Sequence, residues 1–185
     1  MTTLAYSGTK VQSITNPAGR VTQLEYDAAG NLQRLRGADT TAVTFAYDAQ
    51  HRLIRRTDAR NQVTQYTYDG LDNLVQLSSP DTGLTNYTHD NAGNRVIQND
   101  ARRVTTIYGY DALNRLRSVT FPDTTLDLGF DYDSVPGSCD AGEQAAVGRL
   151  SRFTDATGST EFCYEPRGNL TRKTALTSRD ELASL

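Results

Sequence analysis

One seven-residue phrase recurs along the chain. It reads YDAAGNL from Tyr26, YDAQHRL from Tyr47 and YDGLDNL from Tyr68. Further copies open at His89, Tyr110, Tyr132 and Tyr164. The first four steps are 21 residues long, the fifth is 22 and the last is 32. A worn copy, LAYSGTKV, surrounds Tyr6, 20 residues before Tyr26. A fixed short period demands an array of like units, each too small to bury its apolar side chains alone.

Each period divides into two strands. Two residues before every phrase stands Leu24, Phe45, Tyr66, Tyr87, Tyr108, Phe130 or Phe162. Positions i and i+2 share one face of a strand. Each of these therefore forms a ladder pair with Tyr26, Tyr47, Tyr68, His89, Tyr110, Tyr132 or Tyr164 respectively. The residues between them are Glu25, Ala46, Thr67, Thr88, Gly109, Asp131 and Cys163, mostly small or polar. That alternation marks a sheet with two unlike faces.

The phrase then turns. Its fifth position holds Gly30, His51, Asp72, Gly93, Asn114 and Gly168, with Gly148 in the expanded copy. These residue types tolerate positive φ best, so the position requires a left-handed backbone. The aspartates after the tyrosine (Asp27, Asp48, Asp69, Asp90, Asp111 and Asp133) can accept backbone N–H bonds inside the turn; Glu165 replaces them in the last copy. Leu32, Leu53, Leu74, Leu116, Leu150 and Leu170 begin the return strands, with Arg95 as the exception. A second turn closes each period at 15–20, 57–62, 79–83, 99–103, 121–125 and 154–159. The expected fold is all-β: an antiparallel meander of hairpins, about 14–16 strands, and a sheet that wide twists and curls. Residues 1–175 make the array, with an expanded turn over 133–149, and 176–185 form a tail.

The chemistry-bearing residues read as structure. One carboxylate per turn is periodic, whereas a catalytic pair is singular, so no enzyme activity is expected. Cys139 and Cys163, 24 residues apart, have no metal-ligand spacing. They stand either as separate thiols or as a disulfide tying the expanded loop to the sheet in an oxidising compartment. No metal or cofactor is expected. His89 fills a ladder position and His51 a left-handed turn. Arg34, Arg36, Arg55, Arg56, Arg102 and Arg103 read as a solvated face. The aromatic ladder reads as the sheet's packed side, with sugar stacking as the alternative; the 133–149 loop is where local recognition would sit. The net charge of −3 lacks the basic excess of a nucleic-acid binder, and no apolar run reaches the length of a membrane span. The opening MTTLAYSGTK lacks a secretory core, so export is expected as part of a larger protein. One aromatic pair per hairpin cannot offset the ordering of so many strand residues, and two open sheet edges invite pairing. Both points call for a partner: more repeats, another copy or an enclosed cargo.

The phrases YDAAGNL, YDAQHRL, YDGLDNL, HDNAGNR and YDALNRL resemble the YD repeats of RHS-repeat proteins, over about residues 4–175. That family includes bacterial RHS polymorphic toxins, wall-associated proteins, the shell subunits of insecticidal ABC toxin complexes and teneurins. The resemblance implies a β-sheet winding into part of a spiral or shell. It also implies secretion or display at the cell surface, a role in bacterial competition, and an enclosed toxin or adhesive domain as partner. Neither a toxin domain nor a self-cleaving terminal core is recognisable, so the resemblance implies wall material.

Overall fold

The computed structural model describes residues 1–177. The first eight strands are β1 (Thr3–Ser7), β2 (Lys10–Thr15), β3 (Val21–Tyr26), β4 (Leu32–Arg36), β5 (Ala42–Tyr47), β6 (Leu53–Thr57), β7 (Val63–Tyr68) and β8 (Leu74–Ser79). The next eight are β9 (Gly83–His89), β10 (Arg95–Asn99), β11 (Thr105–Tyr110), β12 (Leu116–Thr120), β13 (Leu128–Tyr132), β14 (Leu150–Asp155), β15 (Gly158–Tyr164) and β16 (Leu170–Thr177). They form one open sheet in sequence order. Every strand pairing given for the sheet is antiparallel, as in the pairing of β3 with β4 and of β15 with β16. The chain divides into two compact units, Met1–Asn86 and from Tyr87 onward. Leu176 and Thr177, expected in the tail, belong to β16; the rest of that tail lies outside the described residues.

The two faces differ as the alternation requires. All fourteen ladder residues are half-buried, while Glu25, Ala46, Thr67 and Thr88 between them are exposed. Cross-strand partners carry the apolar face onward: Leu24 sits opposite Leu35, Tyr66 opposite Leu77, Tyr108 opposite Val119 and Phe130 opposite Phe153. The Phe130 and Phe153 rings meet at 5.2 Å. Among the described residues only Val119, Ala146 and Cys163 are fully buried hydrophobics. The ladder is thus shielded sideways, by its neighbours along the sheet.

The tyrosine that opens each phrase also marks a break in register. The pairing of Glu25 with Arg34 gives way to that of Tyr26 with Leu32, leaving Gln33 as an extra residue. The same shift occurs at Tyr6, Tyr47, Tyr68, Tyr110, Tyr132 and Tyr164. Such a bulge bends the strand and raises local twist. The worn copy at Tyr6 is therefore a full member of the array.

The turns explain the left-handed positions. Asp27 N–H donates to the Asn31 carbonyl at 2.9 Å, and Gly30 N–H donates back to the Asp27 carbonyl at 3.0 Å. Closing that five-residue loop puts its fourth residue at positive φ. The values are 94° at Gly30, 63° at His51, 68° at Asp72, 84° at Gly93, 60° at Asn114 and 89° at Gly168. In four repeats the second turn of the period is the same device, at Asn16–Arg20, Gly37–Thr41, Asp58–Gln62 and Asp100–Val104. Gly37–Thr41 carries no signal of the kind that marked the others. Gly37 stands where the other turns have Asp or Asn, Asp39 supplies the carboxylate that accepts from the Thr41 N–H at 3.2 Å, and the left-handed residue is Thr40, at φ 66°.

A β-branched residue there is strained, by about 1–2 kcal/mol. Thr40→Gly should therefore raise stability by about 1 kcal/mol, read as a higher urea midpoint with an unchanged slope.

Candidate functional site: the tyrosine ladder and the inserted loop

The ladder tyrosines bond as well as pack. In six repeats the hydroxyl of the phrase-opening tyrosine donates to a carbonyl at the start of the return strand of the preceding repeat. Tyr26 reaches Val11 at 2.9 Å, Tyr47 reaches Leu32 at 2.9 Å and Tyr68 reaches Leu53 at 3.0 Å. Tyr110 reaches Arg95 at 3.1 Å, Tyr132 reaches Leu116 at 3.0 Å and Tyr164 reaches Leu150 at 2.8 Å. Burial holds the Tyr47 and Tyr68 phenols above their ordinary pKa, which keeps them as donors. His89 takes the tyrosine's place once, and its Nδ1 is buried without a hydrogen-bond partner.

Cations lie over the rings. Lys10 Nζ stands 5.0 Å from the Tyr26 ring centre, and the guanidinium carbons of Arg52, Arg115 and Arg149 stand 4.9, 4.3 and 5.6 Å from Tyr68, Tyr132 and Tyr164. Arg95 lies 5.5 Å from Tyr87 and 4.5 Å from Tyr108. Arg95, the odd residue among the return-strand leucines, thus serves as a lid on two rings. Sugar stacking needs open ring faces, and these are partly taken.

The sixth phrase position links one turn to the next. Asn31 meets His51 Nδ1 at 3.0 Å, and Asn94 donates to Asn114 at 2.8 Å. Arg52 bridges Asp48 and Asp72, both at 2.7 Å, and Arg115 bridges Asp111 at 2.7 Å and Asp133 at 2.6 Å. The sequence reading passed over these two arginines. The six it grouped as one solvated face do not share one. Arg55 pairs opposite Ala46 on the polar side, whereas Arg56 lies opposite Phe45. Arg34 is half-buried, with its Nε buried and unbonded. Arg102 turns onto Asp100 at 2.7 Å.

The expanded turn opens with the same backbone bond as the others but closes on the carboxylate of Asp133, itself at φ 67°. Asp133 N–H donates to the Arg149 carbonyl at 3.2 Å, and Gly148, at φ 78°, donates to the Asp133 carboxylate at 2.6 Å. The extra residues between them lie back on β15 and β16. Ala145 N–H donates to the Tyr164 carbonyl at 3.0 Å, and Tyr164 N–H donates to the Glu143 carbonyl at 3.3 Å. Arg172 holds the loop from β16 through Asp140, through Glu143 at 3.3 Å and through the Ser138 carbonyl at 3.0 Å. A disulfide joins Cys139 to Cys163. Cys163 and Ala146 are 1% and 2% exposed, so the loop covers the polar face that other strands leave open. Val135 and Val147 remain exposed on it.

No group of three or more His, Cys, Asp or Glu side chains suited to a metal occurs among the described residues. The turn aspartates act on their own turns. Asp133 is drawn from its ordinary 3.8 down to about 2, first by Arg115 and then by the Gly148 N–H. The Asn31 and Asn94 side chains, followed by their backbone N–H groups, hold Asp27 and Asp90 below the usual carboxylate range.

The sheet and its turns define a class: a single-sheet array of β-hairpin repeats. Residues 7–42 and 47–84 match the RHS Repeat family model. Those two stretches carry RHS repeats. The chain's fold is that of a crystal structure of TcdB2-TccC3 without its hypervariable C-terminal region, at a TM-score of 0.66 and 18% identity over 94% of this chain. A structure of the Photorhabdus luminescens Tc holotoxin pore matches at 0.54 and 18% over 97% of the chain, and one of TcdB2-TccC3-Cdc42 at 0.56 and 18% over 96%. The chain spans only 9–10% of the length of those chains. A search of curated proteins gives no match.

A carboxylate with a depressed folded pKa stabilises the fold above its unfolded pKa, and that contribution is lost as pH falls through the folded value. Stability should therefore drop between about pH 4 and about pH 2, the window set by Asp133. Urea midpoints across that range should show the drop, and Asp90→Asn should make it shallower.

Proposed function

We propose that the chain is a non-enzymatic wall segment of an RHS-type secreted or cell-surface protein. In that protein the sheet encloses or presents a toxin or adhesive domain, and the setting is bacterial competition. The wall acts by exclusion: a continuous sheet, hydrogen-bonded strand to strand, separates what lies on its two sides. One observation carries this reading. The chain builds an open sheet whose apolar face is shielded only by its own neighbours, an arrangement suited to lining an enclosure and poor at standing alone. The similar structures support it, since they are of Tc toxin assemblies. The Cys139–Cys163 disulfide supports an oxidising location. The partners are further RHS repeats or another copy at the sheet edges, and a cargo domain. No comparable observation favours carbohydrate.

Light scattering coupled to size-exclusion chromatography over a concentration series tests this. Growth in mass with concentration, or a defined oligomer, is expected. A monomer at every concentration would argue for a self-sufficient module and against a wall segment.

A further inference from the structure

The arginines fall into two groups. Several of the turns and the inserted loop are paired: Arg52 bridges Asp48 and Asp72, Arg115 bridges Asp111 and Asp133, and Arg172 holds Asp140 and Glu143. Arg34, Arg36 and Arg55 are not. Among the described residues none of their guanidinium groups forms an ion pair, a hydrogen bond or a ring contact. Glu25 stands opposite Arg34 in register, and even there no ion pair closes.

The register places these three on one face, around one strand. Arg34 pairs opposite Thr44 and Arg36 opposite Ala42 on one side of β5. Arg55 pairs opposite Ala46 on its other side. Ala42, Thr44 and Ala46 share the polar face of β5, away from Phe45. There β5 carries only short side chains, so a trough runs along it, flanked by Arg34 and Arg36 on one side and by Arg55 on the other. Arg36 and Arg55 are exposed, whereas Arg34 is half-buried and its Nε is buried without an acceptor. A desolvated N–H left unbonded costs free energy that an incoming acceptor recovers. In a chain whose net charge is −3, the three cations are a local concentration and not part of a general basic surface.

We infer that this trough binds an extended acidic peptide segment with Glu or Asp at alternate positions. Arg34 and Arg36 stand about 6.8 Å apart along β4, the spacing of alternate side chains in an extended chain. Two carboxylates of such a segment meet the two guanidinium groups through paired N–H···O bonds, the geometry that arginine presents best. Arg55 closes the other flank, two strands and about 10 Å away, and takes a further carboxylate. The site lies on interior strands and goes beyond the wall reading, since it needs no second copy and no enclosure.

Fluorescence anisotropy of a labelled decapeptide of alternating Glu and Ser, titrated with the full chain at two salt concentrations, tests this. Saturable binding that weakens with salt is expected. Arg34→Gln and Arg55→Gln should each weaken it about fivefold, the upper worth of an exposed ion pair. Arg56→Gln removes the same charge one residue away, but on the ladder face opposite Phe45, and should leave binding unchanged. Equal losses in Arg55→Gln and Arg56→Gln would mean diffuse attraction and would overturn the site, as would a lack of saturable binding by the wild-type chain. Dextran sulfate bound in place of the peptide, and lost in Arg34→Gln and Arg55→Gln, would overturn the peptide assignment in favour of an anionic polysaccharide.

Discussion

The hydrogen bond from a tyrosine hydroxyl to a backbone carbonyl about 15 residues earlier is the interaction on which the array depends. A one-layer sheet has no opposing layer to give its side chains depth, so every ladder residue stays half-buried. Lateral contact alone would leave strand pairs free to slip, because a polar and an apolar face specify register only through burial. The tyrosine adds a directional bond at a bulge, where the ladder of backbone bonds is already interrupted. It satisfies a carbonyl, ties one repeat to the one before, and orients the ring on which a cation then sits. Stability in such an array is a chain of nearest-neighbour terms, and this bond is the recurrent one.

The turns supply the second constraint. At Asn16–Arg20, Gly37–Thr41, Asp58–Gln62 and Asp100–Val104 the second turn of the period closes the same backbone ring as the first, with the same left-handed fourth residue. The period of 21 is therefore two near-equal strand-and-turn units distinguished by what precedes them. One unit carries the tyrosine and its bulge; the other does not. Asp27 and its equivalents hold their turns by accepting N–H bonds, which is why they recur and why they are poor candidates for catalysis. At Gly37–Thr41 the carboxylate comes from inside the turn: Asp39 accepts from the Thr41 N–H at 3.2 Å, and the β-branched Thr40 takes the left-handed position.

Much of this was legible in the residues. The alternation of Leu24, Glu25 and Tyr26 gives a strand with two faces, and Gly30, His51 and Asn114 at one position give a left-handed turn. Bonding across repeats was not legible. A tyrosine in a strand reads as an apolar body, and its acceptor lies in the neighbouring hairpin, at Leu32 for Tyr47. Arg52 and Arg115 carried no signal of their own, yet each reaches the next repeat's turn and the next tyrosine's ring. The Cys139–Cys163 pairing stayed open because the path of residues 134–147 is set by distant contacts, Arg172 above all. The sixth phrase position holds Asn31, Arg52, Asn73, Asn94 and Arg115, side chains long and polar enough to bond their own turn's Asp, and Asn31, Arg52, Asn94 and Arg115 also reach the next turn.

From these pieces the proposed role follows with little added. A sheet of like hairpins is extensible at its edges, uniform along its length and unlike on its two faces, which is what a wall requires. The inserted loop is strapped down on the polar face and locked by a disulfide, so it thickens the sheet locally.

The most direct measurement is the unfolding free energy of Tyr68→Phe beside Tyr66→Phe. The two are neighbours on β7 and both half-buried, but only Tyr68 donates its hydroxyl, to Leu53. If the hydroxyl bond couples repeats, Tyr68→Phe should lose about 1 kcal/mol or more in urea unfolding and Tyr66→Phe close to nothing. Equal effects at the two positions would mean that the ladder is held by packing alone and would contradict the account.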